Sequence, residues 1–291
     1  MSPVIRWPST LVVEVAERRC IPFLGAGVSA GCESTVAPGK RPVPWKAFLE
    51  GALPLLRNPA DQTAVTELIG KEQYLDAAQV VVDEADRAEF EQYIRSEFML
   101  PKYKPSPVHE ILLELDPKIV ITTNYDDIYE QYCKSGKAEE GYNVCRYYES
   151  HAINDIRSDV RLILKAHGCI SDPSKVVLSR SQYFDAKRLH HGFYDVLDAL
   201  FLTNTLLFVG CGLSDPDIQL VLENANISAP STHPHYALVP GGRHRALTGA
   251  IRKSYNIELL EYPTPGGDHT ALITALRELQ DAVAAERATS P

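Results

Sequence analysis

IPFLGAGVSAG, residues 21–31, places a short apolar run directly before a glycine-rich turn. Residues 21–24 predict a buried strand, and the G-x-G-x-x-A pattern from Gly25 to Ala30 is typical of a strand turning into a helix. Glycines suit such a turn because a Cβ would block the approach of a phosphate to the backbone. The pattern also fits a plain tight turn in an α/β protein, so it indicates dinucleotide binding only together with other evidence.

One element of the usual dinucleotide site is missing. An acidic residue is expected about twenty positions further on, at the end of a second strand. The chain instead enters a loop that contains Pro38, Pro42 and Pro44. This departure argues against an ordinary dehydrogenase, so other residues must supply the chemistry.

Strand-like and helix-like segments alternate over most of the chain. This alternation predicts an α/β fold with a Rossmann-like parallel sheet of about six strands, flanked by helices. After the first strand, the apolar runs predict strands at 118–123, 160–166, 176–178, 206–209, 236–239 and 257–261. The later helices are predicted at 181–202, 216–225, 245–255 and 268–286.

The region from 33 to 116 has a different pattern, with four or five helical segments and no clear strand. We interpret it as a helical insert that completes the core, or that forms a lid or a wall of the substrate site. The predicted domains are therefore a Rossmann-like dinucleotide-binding domain, residues 1–32 and 117–291, and a helical insert subdomain, residues 33–116.

Composition excludes several classes of function. The net charge is −9, with 38 acidic and 29 basic residues, so direct sequence-specific binding of nucleic acid is not expected. The sequence contains no run of eighteen apolar residues and no signal-peptide pattern at its start, which predicts a cytoplasmic protein without a membrane span. The six cysteines form no C-x-x-C pair, so neither a zinc site nor a disulfide framework is expected.

Polar or small residues follow four of the predicted strands, where ligands of parallel sheets bind. They are Gly25, Ala26, Gly27 and Ser29; Thr123, Asn124 and Asp126; His167; and Gly210, Gly212, Ser214 and Asp215. Each group alone has a structural explanation, because Asn124 and Asp126 fit helix caps, His167 fits a turn, and Ser214 or Asp215 fits the cap before Pro216. Their joint placement indicates a site.

The ordered motifs resemble those of the sirtuin superfamily, in the zinc-free form of the sirtuin-like NAD hydrolases of bacterial antiphage defence. The motifs are G-A-G-x-S at Gly25, T-x-N-x-D at Thr122, H-G at His167, G-x-x-x-S-D-P at Gly210 and G-D-H-T at Gly267. They span about residues 20–280. Deacylating sirtuins carry two cysteine pairs shortly after H-G, whereas here Cys169 alone follows shortly after it and no cysteine pair comes later. The resemblance therefore implies hydrolysis of NAD to nicotinamide and ADP-ribose without a metal.

The resemblance also implies residue roles. Asn124 would orient water and the ribose hydroxyls, and His167 would be the general base. Asp126 would hold the nicotinamide end or stabilise developing positive charge. The turn from Gly25 to Ser29 would cradle the pyrophosphate, and Gly210, Gly212, Ser214 and Asp215 would meet the adenosine ribose. His269 would border the adenine or, alternatively, belong to a helix-capping turn.

The family further implies partners and rival functions. A homo-oligomer is expected, and a HerA-type hexameric ATPase or a short Argonaute is an expected partner. The alternatives are an NAD-dependent protein deacylase or ADP-ribosyltransferase, a non-catalytic subunit that senses NAD or ADP-ribose, and a structural subunit that kept the site by descent.

Overall fold

The computed structural model describes residues 4–137, 141–212, 222 and 233–289, and its centre is a parallel β-sheet. Ser214 and Asp215, together with most of the predicted helix 216–225, lie outside the described residues. The strands of the described residues are β1 (Cys20–Leu24), β2 (Glu33–Ser34), β3 (Tyr103–Lys104), β4 (Ile119–Thr122), β5 (Tyr142–Arg146), β6 (Arg161–Lys165), β7 (Thr205–Val209), β8 (His235–Pro240) and β9 (Ile257–Tyr262).

The α-helices of the described residues alternate with these strands outside the insert. They are α1 (Ser9–Ala16), α2 (Ala26–Ser29), α3 (Trp45–Ala52), α4 (Pro59–Gly70), α5 (Tyr74–Glu84), α6 (Arg87–Phe98), α7 (Pro107–Glu114), α8 (Ile128–Tyr132), α9 (Ala152–Ile156), α10 (Arg180–Leu189), α11 (His191–Thr203), α12 (Arg245–Tyr255) and α13 (Thr270–Thr289).

The main sheet has the order β5-β6-β4-β1-β7-β8-β9, and every pairing in it is parallel. This confirms the predicted α/β, Rossmann-like class. Within the described residues the sheet has 7 strands, where about six were predicted. The short strands β2 and β3 form a separate antiparallel ladder.

Two details of the strand prediction were wrong. Residues 176–178 form no strand: Val176 and Leu178 pack into the core of the helical insert, whereas Val177 packs into the core on one face of the sheet. Strand β5 was missed. It lies at the edge of the sheet, and its partly exposed sequence YNVCR lacks the continuous apolar run that marks the buried strands.

Alternating residues of the strands build one core on each face of the sheet. On one face, Leu207 and Val209 pack in a cluster with side chains from α1, α7 and α13. On the other face, Leu206 and Phe208 pack with side chains from α9, α10 and α11. The molecule therefore has three layers, with helices on both sides of the sheet.

The insert has a core of its own, formed by α3 to α6. Four apolar side chains from the segment after β6 complete this core: Cys169, Ile170, Val176 and Leu178. The β2–β3 ladder ties together the two chain segments that enter and leave the insert. Helix α7, which the predicted boundary at 116 assigned to the insert, packs on the sheet instead.

No helix in the part of the chain that the structure describes combines the length and the apolar character needed to cross a membrane. All six cysteines are unpaired, and all but Cys211 are buried.

Candidate active site

The strand order changes direction at β1, which has β4 on one side and β7 on the other. Ligands of open parallel sheets bind in the crevice that forms at such a point, outside the carboxyl ends of the strands. Three of the predicted groups begin at the carboxyl ends of β1, β4 and β7, and His167 follows the end of β6. The sheet therefore brings these groups to one edge.

The glycine turn after β1 packs directly on the turn after β7. The amide of Gly25 donates to Val209 O at 3.0 Å, and that of Gly27 donates to Gly210 O at 2.8 Å. A Cβ on Gly25 would lie 2.6 Å from Gly210 O, and one on Gly27 would lie 2.8 Å from Gly210 Cα. Gly210 itself has a φ of +66°. Close backbone packing thus explains all three glycines, independently of any phosphate.

The side chain of Asn124 is held in one orientation. Its Nδ2 group donates to Gly25 O at 3.0 Å and to Ser29 Oγ at 3.4 Å, and its backbone amide donates to Thr122 Oγ1 at 3.0 Å. Because a backbone carbonyl can only accept, Nδ2 must face Gly25. This leaves Oδ1 as the atom of Asn124 that can accept a hydrogen bond from a ligand or a water.

Asp126 lies behind Asn124 and is bonded within the protein. Ser29 Oγ donates to its Oδ2 at 2.8 Å, and the amide of Ile128 donates to its Oδ1 at 3.2 Å. Burial raises the pKa of this carboxyl, although Lys165 and Ser29 counteract the rise. Ser29, which is 2% exposed, therefore links Asp126 to Asn124. Contact of either residue with NAD stays a prediction.

A buried ion pair that the sequence reasoning missed lies beneath these residues. Lys165 Nζ donates to Glu130 Oε1 at 2.6 Å and also to the backbone carbonyl of Asp126. Burial disfavours the ammonium, but Glu130, Cys169 and Asp126 outweigh it and raise the pKa of Lys165. The available signal was a lysine at the end of an apolar strand run.

His167 lies at the position on β6 that corresponds to Asn124 on β4. Thr122 pairs with Lys165 in the ladder, and each candidate follows its strand residue by two positions. The amide of Ile170 donates to Tyr125 O at 2.8 Å, which joins the two loops. Neighbouring strands lie about 4.8 Å apart, so the two residues follow adjacent strand ends at the same carboxyl edge of the sheet.

Aromatic side chains and a glycine support His167. Its ring packs edge-on against Tyr183, with centroids 6.3 Å apart, and Tyr194 Oη donates to Ala166 O at 3.0 Å. Gly168 has a φ of +82°, and a Cβ there would lie 2.4 Å from Lys175 O. The sequence H-G therefore reflects a tight turn against the segment that packs into the insert.

The remaining predicted residues are less closely associated. Ala26 and Gly212 are exposed at the same edge, and the amide of Thr123 donates to Leu24 O at 3.4 Å. His269 is exposed and bonds through Nδ1 to Tyr262 Oη at 3.0 Å. It lies in the loop after β9, which is four strand positions from β4 in the sheet. A contact of His269 with the adenine stays a prediction.

Among the described residues, Cys145, Glu149 and His151 form a group that could hold a metal ion. Their ligand atoms lie within 4.8 Å of one another. However, Glu149 Oε2 accepts from the Arg146 amide at 2.7 Å, and burial raises the pKa of Cys145 to about 12. The Glu149 carboxylate is thus already engaged in a hydrogen bond within the protein.

Comparison with known proteins shows what part of this chain is similar to. A family model described as a SIR2-like domain matches residues 118–260, which include Asn124, Asp126, His167 and Gly210. This part of the chain is therefore similar to sirtuin-like domains.

Its curated relatives include proteins of bacterial defence. The chain is 26% identical over 231 residues to "NAD(+) hydrolase ThsA" of Acinetobacter baumannii (strain 532279), covering 78% of this chain and 44% of that protein. It is 24% identical over 245 residues to the ThsA of Bacillus cereus (strain MSX-D12), covering 82% and 47%. It is 28% identical over 155 residues to "Defense-associated sirtuin 2" of Bacillus subtilis, covering 52% and 15%. The chain thus spans less than half the length of these relatives.

Proposed function

We propose that this protein hydrolyses NAD at the bond between nicotinamide and ribose, and that it depletes NAD in antiphage defence. The observation that carries the proposal is that Asn124 and His167 each come two residues after the paired strand ends Thr122 and Lys165, beside the glycine turn at the switch point of the sheet. The names of the ThsA relatives support the same reaction.

The residues present fit the chemistry of this bond. Nicotinamide leaves NAD as a neutral group from a cationic nitrogen, so its departure needs little acid catalysis. The demands are instead to stabilise an oxocarbenium-like ribose and to place a water molecule beside it. An amide oxygen and an imidazole, fixed at neighbouring strand ends, are groups that can meet the second demand.

The orientation of Asn124 assigns it a specific part in the reaction. Its Nδ2 group is held by Gly25 and Ser29, so its Oδ1 atom would accept a hydrogen bond from the attacking water or from a ribose hydroxyl. His167 would take the proton that the water releases, because an imidazole is the side chain that most often serves as a general base in enzymes. No metal is needed for either step.

The test is to incubate the purified protein with NAD and to quantify nicotinamide and ADP-ribose. Stoichiometric release of both supports hydrolysis. An acyl-peptide added as a second substrate tests the deacylase alternative, which would yield an O-acyl product. Transfer of label from labelled NAD to protein would identify an ADP-ribosyltransferase. Binding of NAD without any cleavage, with and without candidate partners, would point to the sensing subunit instead.

The assembly belongs to the proposal as well. We expect a cytoplasmic homo-oligomer, and a HerA-type ATPase or a short Argonaute as the partner that controls NAD cleavage. Light scattering of the purified chain measures the first expectation. Activity assayed with each co-expressed partner measures the second, since control by a partner requires that the rate change on its addition.

A further inference from the structure

Lys165 is the largest side chain that the described core buries completely, with 1% of the residue exposed. It lies at the carboxyl end of β6, two residues before His167. Removing a lysine from water is costly unless its charge is paired and its donors are used. Here the ammonium is matched by Glu130 Oε1 at 2.6 Å and by the carbonyl of Asp126.

The partners of Lys165 belong to the loops that carry the candidate site. Glu130 lies on α8, directly after the Asn124 loop, and is 4% exposed. Its Oε1 atom also accepts from Cys169 Sγ at 3.4 Å, and Cys169 follows the His167–Gly168 turn. One buried pair therefore connects the strand end below His167 with both loops.

A short series of hydrogen bonds leads from this pair to Asn124. Lys165 holds the carbonyl of Asp126, and the carboxylate of Asp126 accepts from Ser29 Oγ at 2.8 Å. Ser29 Oγ in turn accepts from Asn124 Nδ2 at 3.4 Å. The orientation of the Asn124 amide thus depends on groups that Lys165 keeps in place.

We propose that Lys165 is a positioning residue for NAD cleavage. Through Glu130 and the carbonyl of Asp126, it fixes the position of the Asn124 loop relative to the His167 loop. The inference rests on the proposed function for its catalytic consequence. Lys165 is buried beneath the edge, so it acts through other residues and does not contact the substrate.

A purely stabilising role makes a different prediction. Replacing both members of a buried ion pair by apolar residues of similar size is often neutral for stability, or stabilising. Removing only one member leaves an unpaired buried charge and destabilises the fold. The double replacement Lys165→Met with Glu130→Leu therefore separates stability from positioning, because it removes both charges together with the donor to Asp126.

The experiment compares wild type, Lys165→Met, the double variant and Arg161→Met. Arg161 is the matched control, since it forms an ion pair with Asp116 at the opposite end of the same strand. Melting temperature, kcat and KM for NAD are measured for each protein. We expect the double variant to melt near wild type, with KM within about threefold and kcat lowered at least about tenfold. The control is expected to keep its kcat.

A double variant that melts near wild type and retains the wild-type kcat overturns the inference. If Lys165→Met does not fold, the double variant still decides. Hydrogen exchange of residues 123–128 and 166–170 provides a readout that needs no catalysis. The inference requires faster exchange there in the double variant, and unchanged protection contradicts it. If the wild-type protein does not cleave NAD, the proposed function is wrong. The hydrogen-exchange data then decide by themselves whether Lys165 positions the two loops.

Discussion

Replacing Ser29 by alanine distinguishes two roles for its hydroxyl group. The sequence motif predicts that this hydroxyl helps to cradle the pyrophosphate of NAD. In the structure it is 2% exposed, donates to Asp126 Oδ2 at 2.8 Å and accepts from Asn124 at 3.4 Å. A hydroxyl used in this way orients Asn124. The variant Ser29→Ala is therefore expected to lower kcat and to leave KM nearly unchanged.

The contacts of Ser29 set the size of the effect. The variant removes a hydrogen bond to a carboxylate, worth about 1.5–3 kcal/mol of stability, which lowers the melting temperature by on the order of 5 °C. Asn124 keeps its bond to Gly25 O at 3.0 Å, so its orientation is loosened and not lost. We expect kcat to fall by about tenfold, equivalent to about 1.4 kcal/mol.

The assay is steady-state release of nicotinamide over a range of NAD concentrations, with melting curves measured on the same preparations. Ser29→Cys is the matched control, because it retains a donor of similar size and should fall between wild type and Ser29→Ala. A KM raised tenfold or more with an unchanged kcat would refute this reasoning. It would mean that the hydroxyl leaves Asp126 and binds the substrate.

Three further predictions concern other parts of the molecule. Asn124→Ala and His167→Ala should each reduce nicotinamide release by at least about a hundredfold without loss of fold, and an active, folded variant removes that residue from the mechanism. Gly27→Ala should lower stability by about 1–3 kcal/mol, because its Cβ would lie 2.8 Å from Gly210 Cα, whereas Gly249→Ala, with open space around it on α12, should raise stability by about 0.5–1 kcal/mol in the same melts. Burial lowers the pKa of His109 from 6.5 to about 4. As the pH falls, the histidine of the unfolded chain is protonated before that of the folded chain. The neutral, buried His109 therefore contributes its full stability above pH 6.5, and this contribution is lost as the pH falls towards 4. This difference in pKa between the unfolded and folded chain corresponds to about 3 kcal/mol. Between pH 7 and pH 4, the free energy of unfolding of His109→Gln, measured by denaturant titration, should therefore fall by about 3 kcal/mol less than that of wild type.

The buried strands could be predicted from the sequence because their signal is local. The runs that form β1, β4, β6 and β7 are apolar, and the sheet buries them on both faces. The same signal misled at 176–178, where Val176 and Leu178 pack into the insert, Val177 packs against the sheet, and the segment pairs with no strand. In the sequence, three apolar residues of a strand cannot be distinguished from three apolar residues of a loop that packs into a core, because the surface they pack against is not known.

The candidate site was predictable in part for a related reason. Asn124 and His167 follow strands directly, so knowledge of the parallel sheet is enough to bring them to one edge. The pair of Lys165 and Glu130 could not be foreseen. Its two residues are separated by 35 positions and lie on different elements, and nothing local marks a glutamate in a short helix as buried. Gly25 and Gly27 were predicted for phosphate approach, but the packing of Gly210 already requires them.

The contacts of the insert favour a wall of the site over a detachable lid. Its core includes Cys169, Ile170, Val176 and Leu178, which are each less than 6% exposed and come from the segment after His167. Phe98 of α6 also packs edge-on against Tyr125, beside Asn124, with centroids 5.6 Å apart. Lifting the insert away would expose these side chains, at roughly 1.5–3 kcal/mol for each large one. Motion that admits a substrate must therefore be smaller than separation of the insert, and a partner that binds the insert would act on both loops of the site through this shared core.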